Sequence, residues 1–296
     1  MKPAVGVIGT GAMGLGVVQS LARAGIAVHA RDIRADAQAA AVVSGAIGCA
    51  SPAAVARDCG IVIILVVDAA QVETVLFGAD GALSTLDAAA IVVLSSTVAP
   101  SYVAALSSRV SSAGARLVDA PVSGGPLRAA AGTMTLIVSG EARAIADCDA
   151  VFAAIAARRF VVGDRPGMAA TYKVLNNQLA AANLAAGAEA MAVAIRAGLD
   201  PRRFLDVVNA SSGASWIVDD RMQRALDGDT TPRAATALLN KDVGLAVEVA
   251  AALGCDVPLA LATCASFAAA MAAGYGAEDD ASLLRLRLGP AALESP

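Results

Sequence analysis

Histidine is almost missing from this 296-residue chain, which carries only His29. It sits inside the apolar run Ile26 to Ala30, which reads as a strand, so a packed or strand-face residue is expected. An imidazole base, or a zinc site built from cysteine and histidine, needs a histidine free for the purpose. Neither is expected here, and no metal is. The five cysteines (Cys49, Cys59, Cys148, Cys255, Cys264) form no C-x-x-C pair and show no metal-ligand spacing. They read as free thiols of a reducing cytoplasm. Basic clusters are few and the net charge is −4, which speaks against a nucleic-acid partner. The start lacks a basic region followed by an apolar run, so no secretory leader is expected. Aromatic residues supply only 3%, and the hydrophobic fraction of 57% rests on alanine rather than on large side chains. Residues 257–277 carry no charge and are long enough to span a bilayer. They are mostly small residues, interrupted by Pro258, Gly274 and Gly276, so a buried helix is expected and no membrane.

What is present begins with Gly9-Thr10-Gly11-Ala12-Met13-Gly14, directly after the apolar run Ala4 to Ile8. A strand that breaks into G-x-G-x-x-G and re-emerges as a helix presents backbone N–H groups to a pyrophosphate. The first glycine makes the turn, the second admits the diphosphate and the third lets helix and strand pack. Gly14 to Ala24 reads as that helix, ended by Gly25, and Ile26 to Ala30 as the second strand. Asp32 closes the strand where an acidic side chain meets an adenosine ribose, which favours NAD over NADP. Arg31 and Arg34 flank it. Strand alternation points Arg31 to the opposite face, and Arg34 reads as a solvated loop residue.

The first half alternates strand and helix in a doubly wound α/β pattern. Strands are expected at 60–67, 91–94, 116–119, 135–139 and 159–162. Helices are expected near 35–44, after Ser51-Pro52, and at 71–77, 100–113 and 142–156. From Gly167 to Ala197 the chain reads as one helix of about thirty residues, closed by Gly198, with Asp200 and Pro201 opening the next. Further helices are expected at 202–209, 215–226, 236–253 and 258–273. The expected organisation is a Rossmann-type dinucleotide-binding domain, 1–163, and an all-helical domain, 164–296, joined by the long helix.

Ligands of open α/β sheets bind beyond the carboxyl ends of the strands. Three segments emptying there are polar: Val66-Val67-Asp68, Ser95-Ser96-Thr97, and the stretch Asp119 to Gly125. In the last, Ser123-Gly124-Gly125 reads either as a cradle for a substrate carboxylate or as an ordinary loop. On the long helix, Asn176 and Asn177 follow Lys173 at offsets of three and four, which puts both amides on its face. With histidine excluded, a lysine, tyrosine or carboxylate remains as the base. Burial would lower the lysine's pKa from about 10.4 toward neutrality.

Together GTGAMG, SST at 95–97, DAPVSGG at 119–125, GT at 132–133, KVLNN at 173–177 and KD at 241–242 resemble the β-hydroxyacid dehydrogenase family. That family includes 3-hydroxyisobutyrate, tartronate semialdehyde and 6-phosphogluconate dehydrogenases. The runs at 66–78, 215–233 and 274–280 resemble its L-threonate dehydrogenase branch. The resemblance implies Lys173 as catalytic residue. It implies Ser123, Gly124 and Gly125 on the substrate carboxylate, and Asn177 orienting the substrate. The nicotinamide cofactor, NAD or else NADP, is expected on Gly9, Thr10, Gly11, Ala12, Met13, Gly14, Arg31, Asp32, Val66 and Val67, to which the resemblance adds Thr97 and Lys241. The implied reaction is oxidation of a small hydroxy acid, L-threonate to 2-dehydro-L-erythronate. The long alanine-rich helix, whose face packs closely, points to a homodimer or homotetramer, and the free thiols to the cytoplasm. A 3-hydroxyisobutyrate or tartronate semialdehyde-type enzyme and a non-catalytic dinucleotide-binding protein are the alternatives. Ala169 departs from the pattern, since the family usually has a second glycine there.

Overall fold

The computed structural model describes residues 4–289, and the chain divides into two compact units, 1–173 and 174–296. The first unit opens with β1 (Val5–Ile8), α1 (Ala12–Arg23), β2 (Val28–Arg31), α2 (Ala35–Val43), β3 (Ile47–Gly48) and α3 (Pro52–Arg57). It continues through β4 (Ile61–Ile64), α4 (Ala69–Phe77), β5 (Ile91–Leu94), α5 (Pro100–Ser112) and β6 (Arg116–Asp119). The remainder is β7 (Val122–Ser123), α6 (Gly125–Ala131), β8 (Met134–Gly140), α7 (Ala142–Asp147), α8 (Asp149–Ile155) and β9 (Ala156–Gly163).

The sheet runs β3-β2-β1-β4-β5-β6-β8-β7, with β9 paired to the other side of β8. From β1 to β6 every pairing is parallel; β8 then lies antiparallel to β6 and β7. Order reverses between β1 and β4, so a crevice opens beyond their carboxyl ends. Side chains alternate across the sheet. Val5, Val7, Ile61, Ile63, Ile91 and Val93 join the core on one face, and Ile8, Val62, Ile64, Val92 and Leu94 join that on the other.

Three local expectations change. The helix read over 142–156 breaks at Cys148, whose buried side chain ends α7 and whose N–H donates to the Ile145 carbonyl, three residues back. The strand read over 60–67 stops at Ile64, because the Val66 N–H turns to Ser96 Oγ and the Val67 N–H to Gln71 Oε1. Ser123-Gly124-Gly125 is neither a plain turn nor a loop, since Ser123 pairs with Thr135 in the sheet and Gly125 opens α6.

The long helix α9 (Met168–Arg196) begins in the first unit and continues into the second. Its end is as expected: Gly198 takes φ +75°, and the Leu199 N–H reaches back to the Ala194 carbonyl at 3.0 Å. Asp200 then accepts the Arg203 N–H at 2.8 Å, and Pro201 opens α10 (Pro201–Asn209). There follow α11 (Trp216–Leu226), α12 (Thr236–Ala252), α13 (Pro258–Ala272) and a short α14 (Ser282–Leu288) that sequence reading missed. By length and composition α9 is apolar enough to cross a membrane. One of its faces nevertheless supplies Ala181, Leu184, Ala188 and Met191 to the core of the helical unit. The expected buried helix at 257–277 is shorter, and only its Ala260–Thr263–Phe267–Ala270 side is buried, while Leu259 is 76% exposed.

Ionic contacts tie the helical unit together. Arg221 and Arg224, both buried on α11, meet Asp279 and Asp280, also buried. Arg221 bonds Asp280 and Asp220 and lies 3.8 Å from Asp279; Arg224 bonds Asp279 at 3.1 Å and Asp229 at 3.1 Å.

Candidate active site

The turn after β1 has the shape a diphosphate needs. Gly9 takes φ +90°, and a Cβ there would stand 2.5 Å from the Leu65 carbonyl oxygen. A Cβ on Gly14 would stand 1.9 Å from the Gly9 carbonyl, so the first turn of α1 packs onto the loop only with glycine at that position. Gly11 differs: a Cβ there meets nothing closer than Arg34 Nη2 at 3.7 Å. That open space at the N-terminus of α1 fits a dinucleotide's diphosphate. Ala12 is exposed and Met13 half-buried at the start of the helix. Thr10 is buried, and its hydroxyl donates to the Ala37 carbonyl at 3.1 Å.

Asp32 stands one residue past the end of β2 and is buried. Its Oδ2 accepts the Thr10 N–H at 2.7 Å, and its Oδ1 accepts the Arg34 N–H at 2.9 Å. The carboxylate therefore braces the glycine turn as well as facing its rim. Each carboxylate oxygen retains a second lone pair. Arg31, half-buried, fixes the turn through its backbone, accepting the Gly9 N–H at 2.9 Å. Arg34 is more than a solvated loop residue: its side chain is 58% exposed, yet Nε lies 3.7 Å from Asp32 and the guanidinium hangs over Gly11. Sequence reading left Arg34 out of the site.

Beyond β4 and β5 the backbone is held by side chains. Ser96 Oγ accepts the Val66 N–H at 2.9 Å, Val67 is exposed, and Asp68 caps α4 through the Gln71 N–H. Thr97 is half-buried. Ser95 Oγ is buried with no hydrogen-bond partner, so the carboxyl end of β5 offers a hydroxyl to a polar ligand.

Ser123, Gly124 and Gly125 are half-buried where β7 passes into α6. Asp119, at the head of the same stretch, is 1% exposed and accepts the Gly167 and Ala170 N–H groups at 2.8 and 2.9 Å. Burial pushes its carboxyl up to about 6, against the downward pull of those bonds and of Ser139. A carboxyl raised above its ordinary value stabilises the fold fully below about pH 4 and loses that contribution as pH rises through about 6. Asp119→Asn is therefore expected to flatten the pH dependence of the urea midpoint across that window. An unchanged slope would contradict the raised value.

The chain's lysines are Lys2, Lys173 and Lys241, so two of them are candidate site residues, a signal readable from composition. Lys173 on α9 is only 8% exposed. The two asparagines after it part company: Asn176 is exposed and Asn177 half-buried, so they do not share a buried face with the lysine. Within the helical unit, Asn177 Nδ2 donates to Asp242 Oδ2 at 2.6 Å, and Lys241 Nζ lies 2.8 Å from Asp242 Oδ1. Asp242, buried on α12, thus brings two candidate residues together. Its place in the KD pair was visible beforehand; its partner Asn177 was not. His29 is half-buried on β2, 3.8 Å from Cys49 Sγ and 3.9 Å from Asp58. Among the described residues no group of histidine, cysteine, aspartate and glutamate is arranged to hold a metal.

Two family descriptions match nearly end to end. Residues 4–163 match the NAD binding domain of 6-phosphogluconate dehydrogenase, and residues 167–287 match the NAD-binding region of NADP-dependent 3-hydroxyisobutyrate dehydrogenase. The L-threonate dehydrogenase of Cupriavidus necator is 42% identical over 97% of this chain and 96% of its own length. A solved structure titled 3-hydroxyisobutyrate dehydrogenase, from Salmonella typhimurium, superposes with TM-score 0.89 at 38% identity, covering 96% of this chain and 99% of that one. A second, titled Psf3 in complex with NADP+ and 2-OPP, gives TM-score 0.90 at 26% identity, covering 96% and 99%.

Proposed function

Because this chain belongs to the 3-hydroxyisobutyrate dehydrogenase family of NAD(P)-dependent hydroxyacid oxidoreductases, we propose that it oxidises L-threonate to 2-dehydro-L-erythronate. The cofactor, when bound, supplies the hydride acceptor. The substrate carboxylate rests on the Ser123 hydroxyl and the backbone N–H groups of Gly124 and Gly125. Neutral Lys173 takes the proton from the substrate hydroxyl as its C–H bond breaks, and protonated Lys173 returns it in the reverse direction. Asn177 orients the reacting oxygen, its amide held by Asp242. Thr97 and Lys241 are assigned to the nicotinamide cofactor, and Gly9 to Gly14 to its diphosphate. The observation that carries the reaction is a buried lysine in a chain whose one histidine stands against Asp58 and Cys49. The identity to L-threonate dehydrogenases over nearly the whole chain supports the substrate.

NAD is the proposed acceptor. Asp32 accepts from both ribose hydroxyls, and a 2′-phosphate would bring like charge against it. Arg34 is the opposing influence, since a guanidinium above Gly11 pairs readily with a phosphate. One panel tests substrate and cofactor together: L-threonate, D-threonate, 3-hydroxyisobutyrate, glycerate and 4-hydroxybutyrate, each with NAD and with NADP. L-threonate with NAD is expected to give the highest kcat/KM, at least about tenfold above the same acid with NADP. A far better rate with 3-hydroxyisobutyrate would overturn the substrate, and parity with NADP would mean that Arg34 reads the ribose. No reduced cofactor from any acid would leave a dinucleotide-binding protein without catalysis. The reading includes a homodimer or homotetramer in the cytoplasm. Exposed Tyr172, Leu175, Leu179 and Val193 on α9 support the assembly, and free thiols support the compartment.

A further inference from the structure

Helix α9 has no capping side chain of its own, because Gly167 precedes its first residue with φ +99°. The first N–H groups of a helix find no partner inside it. Here each of them is met from elsewhere in the 1–173 unit. Gly167 and Ala170 donate to Asp119 Oδ2, and Ala169 donates to Ser139 Oγ at 3.0 Å. Met168 donates to the Arg165 carbonyl at 3.4 Å. Ser139 Oγ in turn donates to Asp119 Oδ2 at 3.2 Å, so the clamp converges on one carboxylate.

The clamp stands on rigid ground. Asp119 and Ser139 face each other across the β6–β8 pairing, and both are buried. Lys173 follows Ala169 and Ala170 at offsets of four and three, on the same side of the helix and one turn on. At about 1.5 Å of rise per residue, its Cα lies roughly 5–6 Å along the axis from the clamped N–H groups. Slack in the clamp therefore passes to the lysine with little room to relax. The buried methyl of Ala169 adds to the fit, since this residue is fully enclosed where it meets Ser139.

We propose that Asp119 is the positioning residue of Lys173, its carboxylate pinning the start of α9 so that the lysine is delivered to the reacting hydroxyl. The proposal rests on the acid–base role assigned to Lys173 above. It also gives the stretch Asp119 to Gly125 two roles, since one end fixes the lysine's helix and the other cradles the substrate carboxylate. A purely structural aspartate would affect stability alone.

The test compares Asp119→Ala, Asp119→Asn and Ser139→Ala in the full-length, cofactor-saturated enzyme. Two readouts are taken: kcat, with the cofactor KM measured in a separate titration at saturating hydroxy acid, and the rate at which trinitrobenzenesulfonate modifies Lys173 relative to Lys241, read by peptide mass spectrometry. Displacement of a reacting group by about 1 Å costs on the order of a hundredfold. Asp119→Ala is accordingly expected to lower kcat about ten- to a hundredfold with cofactor KM within about twofold, and to raise the Lys173:Lys241 modification ratio. Asp119→Asn keeps an acceptor oxygen for the N–H groups and should recover most of both. Ser139→Ala releases the Ala169 N–H and removes one donor to Asp119 Oδ2, leaving the Gly167 and Ala170 bonds in place, and should fall between. A folded Asp119→Ala enzyme with kcat within about twofold of the parent and an unchanged modification ratio would overturn the proposal. Where Asp119→Ala fails to fold, parental kcat and modification ratio in Ser139→Ala would overturn it instead. Normal turnover of Lys173→Ala would sink the acid–base reading separately, while the modification ratio still reports on the clamp.

Discussion

Lys173→Ala is expected to lower turnover by about a hundredfold or more, with cofactor affinity nearly unchanged. The lysine is enclosed on a helix whose start is pinned by Asp119 and Ser139, while dinucleotide contacts are assigned to the glycine turn on another element. Lys173→Arg separates a proton-transfer role from a purely electrostatic one. A guanidinium keeps the charge and much of the length but does not give up its proton at working pH. If Lys173 moves the proton, arginine should be nearly as damaging as alanine. Near-parental turnover of the alanine variant at saturating substrate would remove Lys173 from the reaction. Substantial rescue by arginine would reduce its part to charge stabilisation.

The second large effect concerns stability. Arg221→Met is expected to destabilise the helical unit by about 3–5 kcal/mol, the range for stripping a buried charge of its partner. Arg221 lies among Asp220, Asp279 and Asp280, and without it two buried carboxylates lose a principal counter-ion. Arg224 still bonds Asp279 but makes no ion pair with Asp280. Burial already pushes the Asp280 carboxyl up to about 6, held back by the attraction of Arg221. Removing the guanidinium should raise it further. The folded variant then binds more protons than the unfolded chain above pH 4, so its stability falls as pH rises. The loss should accordingly be smaller at pH 5 than at pH 8, in urea unfolding followed by helical circular dichroism. Matching midpoints for variant and parent at pH 8 would show that the cluster carries no such weight.

These two variants also divide what is legible in the chain from what is not. The glycine turn, the buried strand Ile91–Leu94 and the ends of the long helix are written within a few consecutive residues. Gly198, Asp200 and Pro201 act through their own backbone preferences, so their effect survives whatever packs around them. The break at Cys148 is different. Nothing in 142–156 forbids one continuous helix, and the chain turns where Ile145, Cys148, Val151 and Phe152 join one buried core. Asn176 and Asn177 looked equivalent from their spacing. Only the packing of α12 against α9 gives Asn177 a carboxylate partner and leaves Asn176 exposed.

The sequence by itself determined the alternating α/β half, the helical half and the glycine turn, and it singled out the lysine as a candidate, because periodicity, glycine geometry and residue chemistry are local. Which groups meet was decided by tertiary structure alone. Asp119 is separated by 48 residues from Gly167 and by 51 from Ala170, and Arg221 by 59 from Asp280. Strand order and register bring Asp119 opposite Ser139 and both beneath the first turn of α9. A hydrogen bond or ion pair is made in space, and an aspartate carries no mark of which distant N–H or guanidinium will reach it.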